Sequence, residues 1–433
     1  MLLEKREQFK MKKRAFIKGD FSQLAINGGK KAILNPFPAR YLLDEQEKKA
    51  VAALFDRAIQ TGNPFGYNGK EEEDFCKEFA SYMGGGFADA VSSGTNAVYV
   101  ALRAINPEPF TEVIVGPITD PGGIMPIALI NCIPMVADAM KGSFNTGPEQ
   151  IAELISPRTG AIIVPHIFGE PADMKGIMAL ARKHRIPVIE DCAQAPGATI
   201  AGKLVGSFGD IAAFSTMFGK HFCTGGQGGM VYTKSEKLYW ACRRLADRGK
   251  PFGLPAGSTN CVAALNCNSN DLACVIGSVQ LKKLPKIVKR RQELAKMIFD
   301  GIADLKAIEK PVYTAEAHPS FWFLRLKFNA ARVACNKSQF CKALKEEGLP
   351  VRERYISPVC MQAWFMNHCV FGNSGLPWSA PQYTGKKNQT FHCQNALKAL
   401  DEHFDLPVIE SWGNREAKAI IKALRKVSII YQK

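Results

Sequence analysis

The stretch "GAIIVPHIFGEPADMKGIMALARKHRIPVIEDCAQA", residues 160–195, reads as strand, helix, strand. Two short apolar runs, each bounded by turn residues, flank a segment in which Met174, Ile177, Met178 and Ala181 recur at helical spacing. Strands joined through a helix run parallel, and a parallel sheet is covered by helices on both faces. The second run ends on Asp191, an acid that is costly to bury unless paired or solvated. Strand ends of this kind are where ligands bind in open α/β sheets.

The same grammar extends outward in both directions. The runs "ADAVSSG", "EVIVGP", "IPMVADA", "IAAFST" and "GGMVYT" add further strands, and "GTNAVYVALRAI" a further helix. Residues 44–62 and the stretch "KEEEDFCKEFASYMG" read as two earlier helices, the first ending at Gly62. Beyond Asn270 a long helix is expected, and after it the pattern becomes α+β: a strand in "FWFLRLKFNA", then helices in "KSQFCKALKEEG", "QNALKALDEHF" and "REAKAIIKALRKV". The expected organisation is a basic, weakly structured extension (1–35), a large α/β domain with a mostly parallel sheet (36–285) and a smaller α+β domain (286–433). Residues 357–392, rich in Pro, Gly, Asn and aromatics, are expected to form an ordered loop or lid over a substrate.

Composition narrows the function classes. With 46% hydrophobic and 22% charged residues over 433 positions, the chain is an ordinary soluble globular protein long enough for two domains. No stretch approaches the roughly 20 apolar residues that span a bilayer, and the basic start has no apolar run behind it, so neither a membrane nor a secretory signal is expected. Thirteen scattered cysteines fit free thiols in a reducing cytoplasm rather than a disulfide framework. The spacing of Cys261, Cys267 and Cys274 lacks the close pairs of structural zinc sites, so no metal is expected. The net charge is +16, of which residues 1–31 supply +6 from nine Lys/Arg and three Asp/Glu. A second basic stretch is "KKLPKIVKRR" at 282–291, read as a helix face. Without a nucleic-acid motif beside it, the charge is expected to serve solubility or to draw in an anionic substrate.

Four features bear on chemistry. "SSGTNA" (92–97) is a small-residue turn between strand and helix that leaves backbone N–H groups open to a phosphate, or is a plain N-cap by Ser93 or Thr95. "VIEDCAQAPGA" presents Asp191 and, three residues on, Gln194. "IAAFSTMFGKHFCTGGQGG" places Ser215 and Lys220 after another strand, with a cluster of glycines behind them that would let backbone pass close to a planar ring. A lysine and an acid are the couple needed by a cofactor that is held as a Schiff base and protonated at a pyridine nitrogen. The asparagines of "LNCNSNDLACVIG" stand at a helix start, where the plain reading is an N-cap from Ser269 or Asn270.

In order and spacing these motifs resemble the DegT-like aminotransferases, pyridoxal-phosphate enzymes of fold type I that act on keto-sugars and cyclitols. The resemblance runs from about residue 25 to the end. It implies that Lys220 binds the cofactor's aldehyde, that Asp191 meets the pyridine nitrogen and that Gln194 lies on the ring-hydroxyl side. It also implies that Gly94, Thr95 and Ser215 hold the phosphate, and that Asn266 reaches the phosphate of a neighbouring subunit, making a homodimer with shared sites. Residues 25–51 resemble the opening segment of the inosose branch, and "RYISPVCMQAWF" a substrate-side segment around Tyr355. His166, at a strand end, is a second candidate to face the substrate, while His221 directly follows the reactive position. Three departures stand out. An aromatic usual after the strand at 113–116 gives way to "GPITDPGG" with Asp120; the loop usually T-G-E-G-G reads "TGGQGG"; and an arginine usual near Asn268 is absent. The implied activity is transfer of an amino group from glutamate or glutamine to a keto-sugar or cyclitol. Oxidation, decarboxylation or dehydration on the same cofactor is the alternative, and a non-catalytic nucleic-acid-binding regulator a more distant one.

Overall fold

The computed structural model describes residues 16–433. Helix α1 (Glu45–Thr61) starts at a capping box on Asp44 and ends at Gly62 in the left-handed region, as the sequence pattern requires. Helix α2 (Lys70–Tyr82) leads into the central sheet. Its strands are β1 (Phe87–Val91), β2 (Glu112–Val115), β3 (Ile133–Val136), β4 (Thr159–Pro165) and β5 (Val188–Asp191). A short hairpin, β6 (Thr199–Ile200) and β7 (Lys203–Leu204), stands outside the sheet, which resumes with β8 (Ile211–Ser215) and β9 (Gly229–Thr233).

The spatial order is β1-β9-β8-β5-β4-β2-β3. Only β9 runs antiparallel, pairing with β8 on one side and β1 on the other. Helices α3 (Gly94–Ile105), α4 (Met174–His184) and α5 (Glu236–Ala246) supply crossovers and cover. In register, Pro165 of β4 lies opposite Asp191 of β5, and Asp191 lies opposite Ala213 of β8. Residues 166, 191 and 215 therefore emerge along one edge of the sheet.

Helix α6 (Asp271–Ile302) runs through Pro285 without a break and is capped by Asn270. The expected division at 285/286 falls inside it. Its first part, to Val288, packs on the sheet's core, and its second, from Leu294, on a separate core. That second core is built by β10 (Ile308–Glu309), β12 (Phe323–Phe328) and β13 (His403–Pro407), with helices α7 (Lys337–Glu346) and α9 (Asn414–Tyr431). Strand β11 (Ala317–His318) instead pairs with β6. Strand β13 follows directly on α8 (Gln394–Glu402), where the sequence pattern indicated only a helix.

Neither core is continuous in sequence. Val359, Cys360, Phe365, Trp378 and Tyr383, from the expected lid, are buried against the sheet's core. Leu24, Ala32 and Ile33 are buried in the second core, so this part of the expected loose extension is packed structure; residues 1–15 lie outside the described residues. The physical reason is Glu347, fully buried after α7. Its carboxylate accepts hydrogen bonds from the Ala25 and Ala32 N–H groups (2.8 and 2.7 Å) and pairs with the buried Lys426 at 2.7 Å. Glu347→Ala strands a buried ammonium and two backbone donors, and should cost about 3–5 kcal/mol, read as a lower urea midpoint with an unchanged slope.

Candidate active site at the strand ends

Lys220 follows β8 in a loop that folds on itself. Thr216 N–H donates to Gly228 O at 2.8 Å and Phe218 N–H to Gly226 O at 2.9 Å, and the Thr216 and Thr224 hydroxyls meet at 2.8 Å. A Cβ on Gly228 would stand 2.1 Å from Thr224 Oγ1, and one on Gly229 2.4 Å from Ser93 O. These two glycines are thus required by the loop's contact with itself and with the turn before α3. That corrects the expectation that they make room for a ring.

The loop leaves Lys220 6% exposed. Burial lowers its pKa to about 8, against the opposing pull of the Asp191 and Asp120 carboxylates. Asp191, at the end of β5, is buried and pushed up by desolvation; the Ala193 N–H, 3.0 Å from Oδ1, and the Lys220 charge pull it back. Its Oδ2 accepts no hydrogen bond from the described residues and faces Gly123, where a Cβ would stand only 2.8 Å away. The "DPGG" turn therefore brings bare backbone, and no aromatic ring, against this acid. Asp120 caps the turn by accepting from Gly122 N–H at 3.0 Å.

Helix α3 opens beside these groups. Ser93 is its cap, accepting from Asn96 N–H at 3.0 Å, while the N–H groups of Gly94 and Thr95 have no partner among the described residues. A Cβ on Gly94 would come within 2.7 Å of Ser215 Cβ, so glycine here lets the helix start lie against the end of β8. Gly94, exposed Thr95 and Ser215 make a small cradle of donors at a helix N-terminus, suited to a phosphate. Gln194 accepts the Phe168 N–H at 2.8 Å and donates to the Tyr355 hydroxyl at 3.2 Å, which brings Tyr355 across from residues 100 and more away. Phe168 holds a left-handed backbone (φ 61°), a strained conformation for an aromatic residue that this hydrogen bond helps to keep.

His166 does not face the site. It is fully buried; its Nδ1 accepts the Ala172 N–H at 3.0 Å, so Nε2 carries the proton and donates to Glu190 Oε2 at 3.2 Å. Glu190 in turn accepts the N–H groups of Gly206, Phe208 and Gly209. Burial acts to raise its pKa, but the His166 ring and these donors outweigh it and hold the carboxylate low. His221, with Nε2 3.0 Å from Ser320 O, is held neutral by burial. Asn266 is exposed beside Phe65 and Tyr67 in a cleft of about 500 Å³, and none of its hydrogen bonds reaches the Lys220 group. Asn268, near which the arginine was expected, donates to Asn266 Oδ1 at 2.8 Å, and the Asn266 amide N–H groups have no partner among the described residues. Four of the six basic residues in 282–291 are held in ion pairs: Lys282 with Glu78, Lys283 with Asp44 and Glu47, Arg290 with Glu293 and Arg291 with Glu410.

Trp322, just before β12, has its ring 4.0 Å from Lys220 Nζ. The sequence pattern marked it only as part of a strand, and no local signal ties it to a lysine 102 positions earlier.

A buried lysine, an unengaged carboxylate oxygen and a phosphate cradle at the ends of parallel strands define the class of pyridoxal-phosphate enzymes of fold type I, and these residues fit that cofactor. Comparison with known proteins agrees. The chain belongs to the DegT/DnrJ/EryC1/StrS aminotransferase family, which it matches over residues 44–425. It is 26% identical over 371 residues to the spore coat polysaccharide biosynthesis protein SpsC of Bacillus subtilis, covering 83% of this chain and 90% of that one. It is 32% identical over 263 residues to a GDP-perosamine synthase of Vibrio cholerae, covering 61% and 70%. A solved aminotransferase from Psychrobacter cryohalolentis superposes with a TM-score of 0.77 at 27% identity, over 90% of this chain and 98% of its own. The protein is a pyridoxal-phosphate-dependent aminotransferase.

Proposed function

We propose that the protein moves an amino group from glutamate or glutamine to a keto-sugar or cyclitol, with Lys220 as the reactive amine. The observation that carries this reading is Lys220, buried within electrostatic reach of Asp191 at the ends of neighbouring parallel strands. Pyridoxal phosphate, when bound, supplies the aldehyde carbon that takes up the amino group and the ring that withdraws electrons from the bond being broken. Asp191 Oδ2 would keep a proton on the ring nitrogen. Gly94, Thr95 and Ser215 would hold the phosphate, and Gln194 the ring-hydroxyl side. Lys220 Nζ, neutral for part of the time at physiological pH, would be the base that takes the proton from the substrate's α-carbon. Tyr355, beside Gln194 and near Asp120, lies on the acceptor's side. The sugar acceptor is supported by the similarity to GDP-perosamine synthase, and the cyclitol by the opening segment.

The chain is proposed to act in the cytoplasm as a homodimer in which Asn266 serves the neighbouring site. Exposed Phe55, packed on Phe65 of the Asn266 cleft, exposed Leu265 next to Asn266 and exposed Phe218 beside Lys220 support this as a surface for a second copy. Glutamate added to the loaded protein should convert its absorbance to the amine form and release 2-oxoglutarate. A panel of keto-sugars and inososes should then restore the original band. Release of carbon dioxide or peroxide without transfer would falsify the reading. Mixing inactive Asn266→Ala and Lys220→Ala proteins should restore up to about a quarter of parental activity through hybrid dimers with one intact site; no recovery after confirmed subunit exchange argues against a shared site.

A further inference from the structure

Lys220 Nζ is nearly cut off from water, yet it donates no hydrogen bond to any described residue and forms no ion pair within 4.0 Å. Its close neighbour is the face of Trp322, with the ring centroid at 4.0 Å. The indole is fixed independently of the lysine. Its Nε1 donates to Gly219 O at 3.3 Å, and the Trp322 backbone N–H donates to Phe168 O at 2.9 Å. Arg291 Nη1 donates to Trp322 O at 3.4 Å, and the Phe323 ring packs at 4.4 Å. Phe168 is itself held by Gln194. The ring thus stands ready over the amine, delivered by the strand that opens the second core.

We propose that Trp322 is the positioning residue for the reactive amine: its face holds the protonated Lys220 Nζ in the free enzyme and sets the pH at which that amine becomes a nucleophile. An aromatic face attracts an ammonium through its quadrupole and has no comparable hold on a neutral amine, and the attraction grows where water is excluded. The ring therefore opposes the burial that lowers this lysine's pKa to about 8. The charged groups facing the amine are Asp191 from β5 and Asp120 from the turn after β2, both favouring the ammonium. His221 beside it is neutral, with Arg291 and Arg40 near that ring. None of these lies where Trp322 does, so their contributions remain when the ring is replaced.

The inference rests on Lys220 being the cofactor's amine, and its test separates the two. Cofactor-free wild-type, Trp322→Phe and Trp322→Leu proteins are labelled competitively with acetic anhydride across pH, and the Lys220 peptide is quantified by mass spectrometry. Both variants lose the bond to Gly219 O, but only phenylalanine keeps an aromatic face. The Lys220 titration should lie highest in wild type, lower in Trp322→Phe, and about one unit below wild type in Trp322→Leu. An unshifted leucine variant, or equal shifts in both, overturns the inference. Trp322→Met replaces the leucine variant if that protein does not fold. Separately, a wild-type protein whose Lys220 titrates as expected but which gives no visible band with pyridoxal phosphate sinks the reactive-amine reading and leaves the role of the ring face standing.

Discussion

A Lys220→Arg protein is expected to fold, to show no visible band with pyridoxal phosphate, and to lose turnover by about 10⁴-fold. Arginine is the informative replacement because the guanidinium stays charged at every accessible pH and is no nucleophile. It leaves Asp191 and Asp120 with a cationic neighbour, so the loss reports missing chemistry and not a stranded acid. Absorbance after cofactor addition and the initial rate of 2-oxoglutarate release are the measurements. A variant within tenfold of the parent would mean that the catalytic amine lies elsewhere. The same lysine sets a pH dependence. Only the neutral amine attacks an aldehyde, and burial brings its pKa to about 8. Cofactor capture by the cofactor-free protein should therefore rise as pH increases through about 8 and level off above it. An unperturbed lysine, with a pKa of about 10.4, would still be rising there.

The second large effect is expected from Asp191→Asn. The amide preserves size and can still accept the Ala193 N–H that now meets Oδ1 at 3.0 Å. What disappears is the negative charge at the position facing Gly123 and Lys220. Turnover should fall about 10²–10³-fold, the scale of losing one preorganised electrostatic contact at a reacting centre, and cofactor affinity should fall with it. The same change should move Lys220 the other way on the pH axis. Asp191 holds the lysine's pKa up, so without it the amine becomes neutral at lower pH. Slower turnover together with capture shifted to lower pH is the signature; full turnover in Asp191→Asn removes the acid from the mechanism.

Asp191, Ser215 and Lys220 were legible because each follows a short apolar run, and register within a parallel sheet brings strand ends together. The open helix start was legible for a related reason: a strand–turn–helix junction built on Ser-Gly-Thr leaves N–H groups pointing outward. His166 stands at an equally exposed-looking strand end, yet it turns inward. Its partner Glu190 is the residue before Asp191, and a strand sends successive side chains to opposite faces. One carboxylate of "VIED" therefore belongs to the core and the other to the site. Alternation predicts that split, but which side holds the ligand depends on what covers each face.

The amino-acid sequence by itself determined the α/β layering, most helix boundaries and the order of polar groups at the strand ends, because periodicity, caps and strand ends are local properties. Only the tertiary structure decided how the two cores share the chain. The buried Glu347 draws residues 24–33 onto the second core, while Tyr383 and Trp378 bury the expected lid on the first. Only the tertiary structure also placed Trp322 over Lys220. That contact joins segments 102 residues apart and depends on how the strand opening one core packs on the loop closing the other, an arrangement that no short-range pattern encodes.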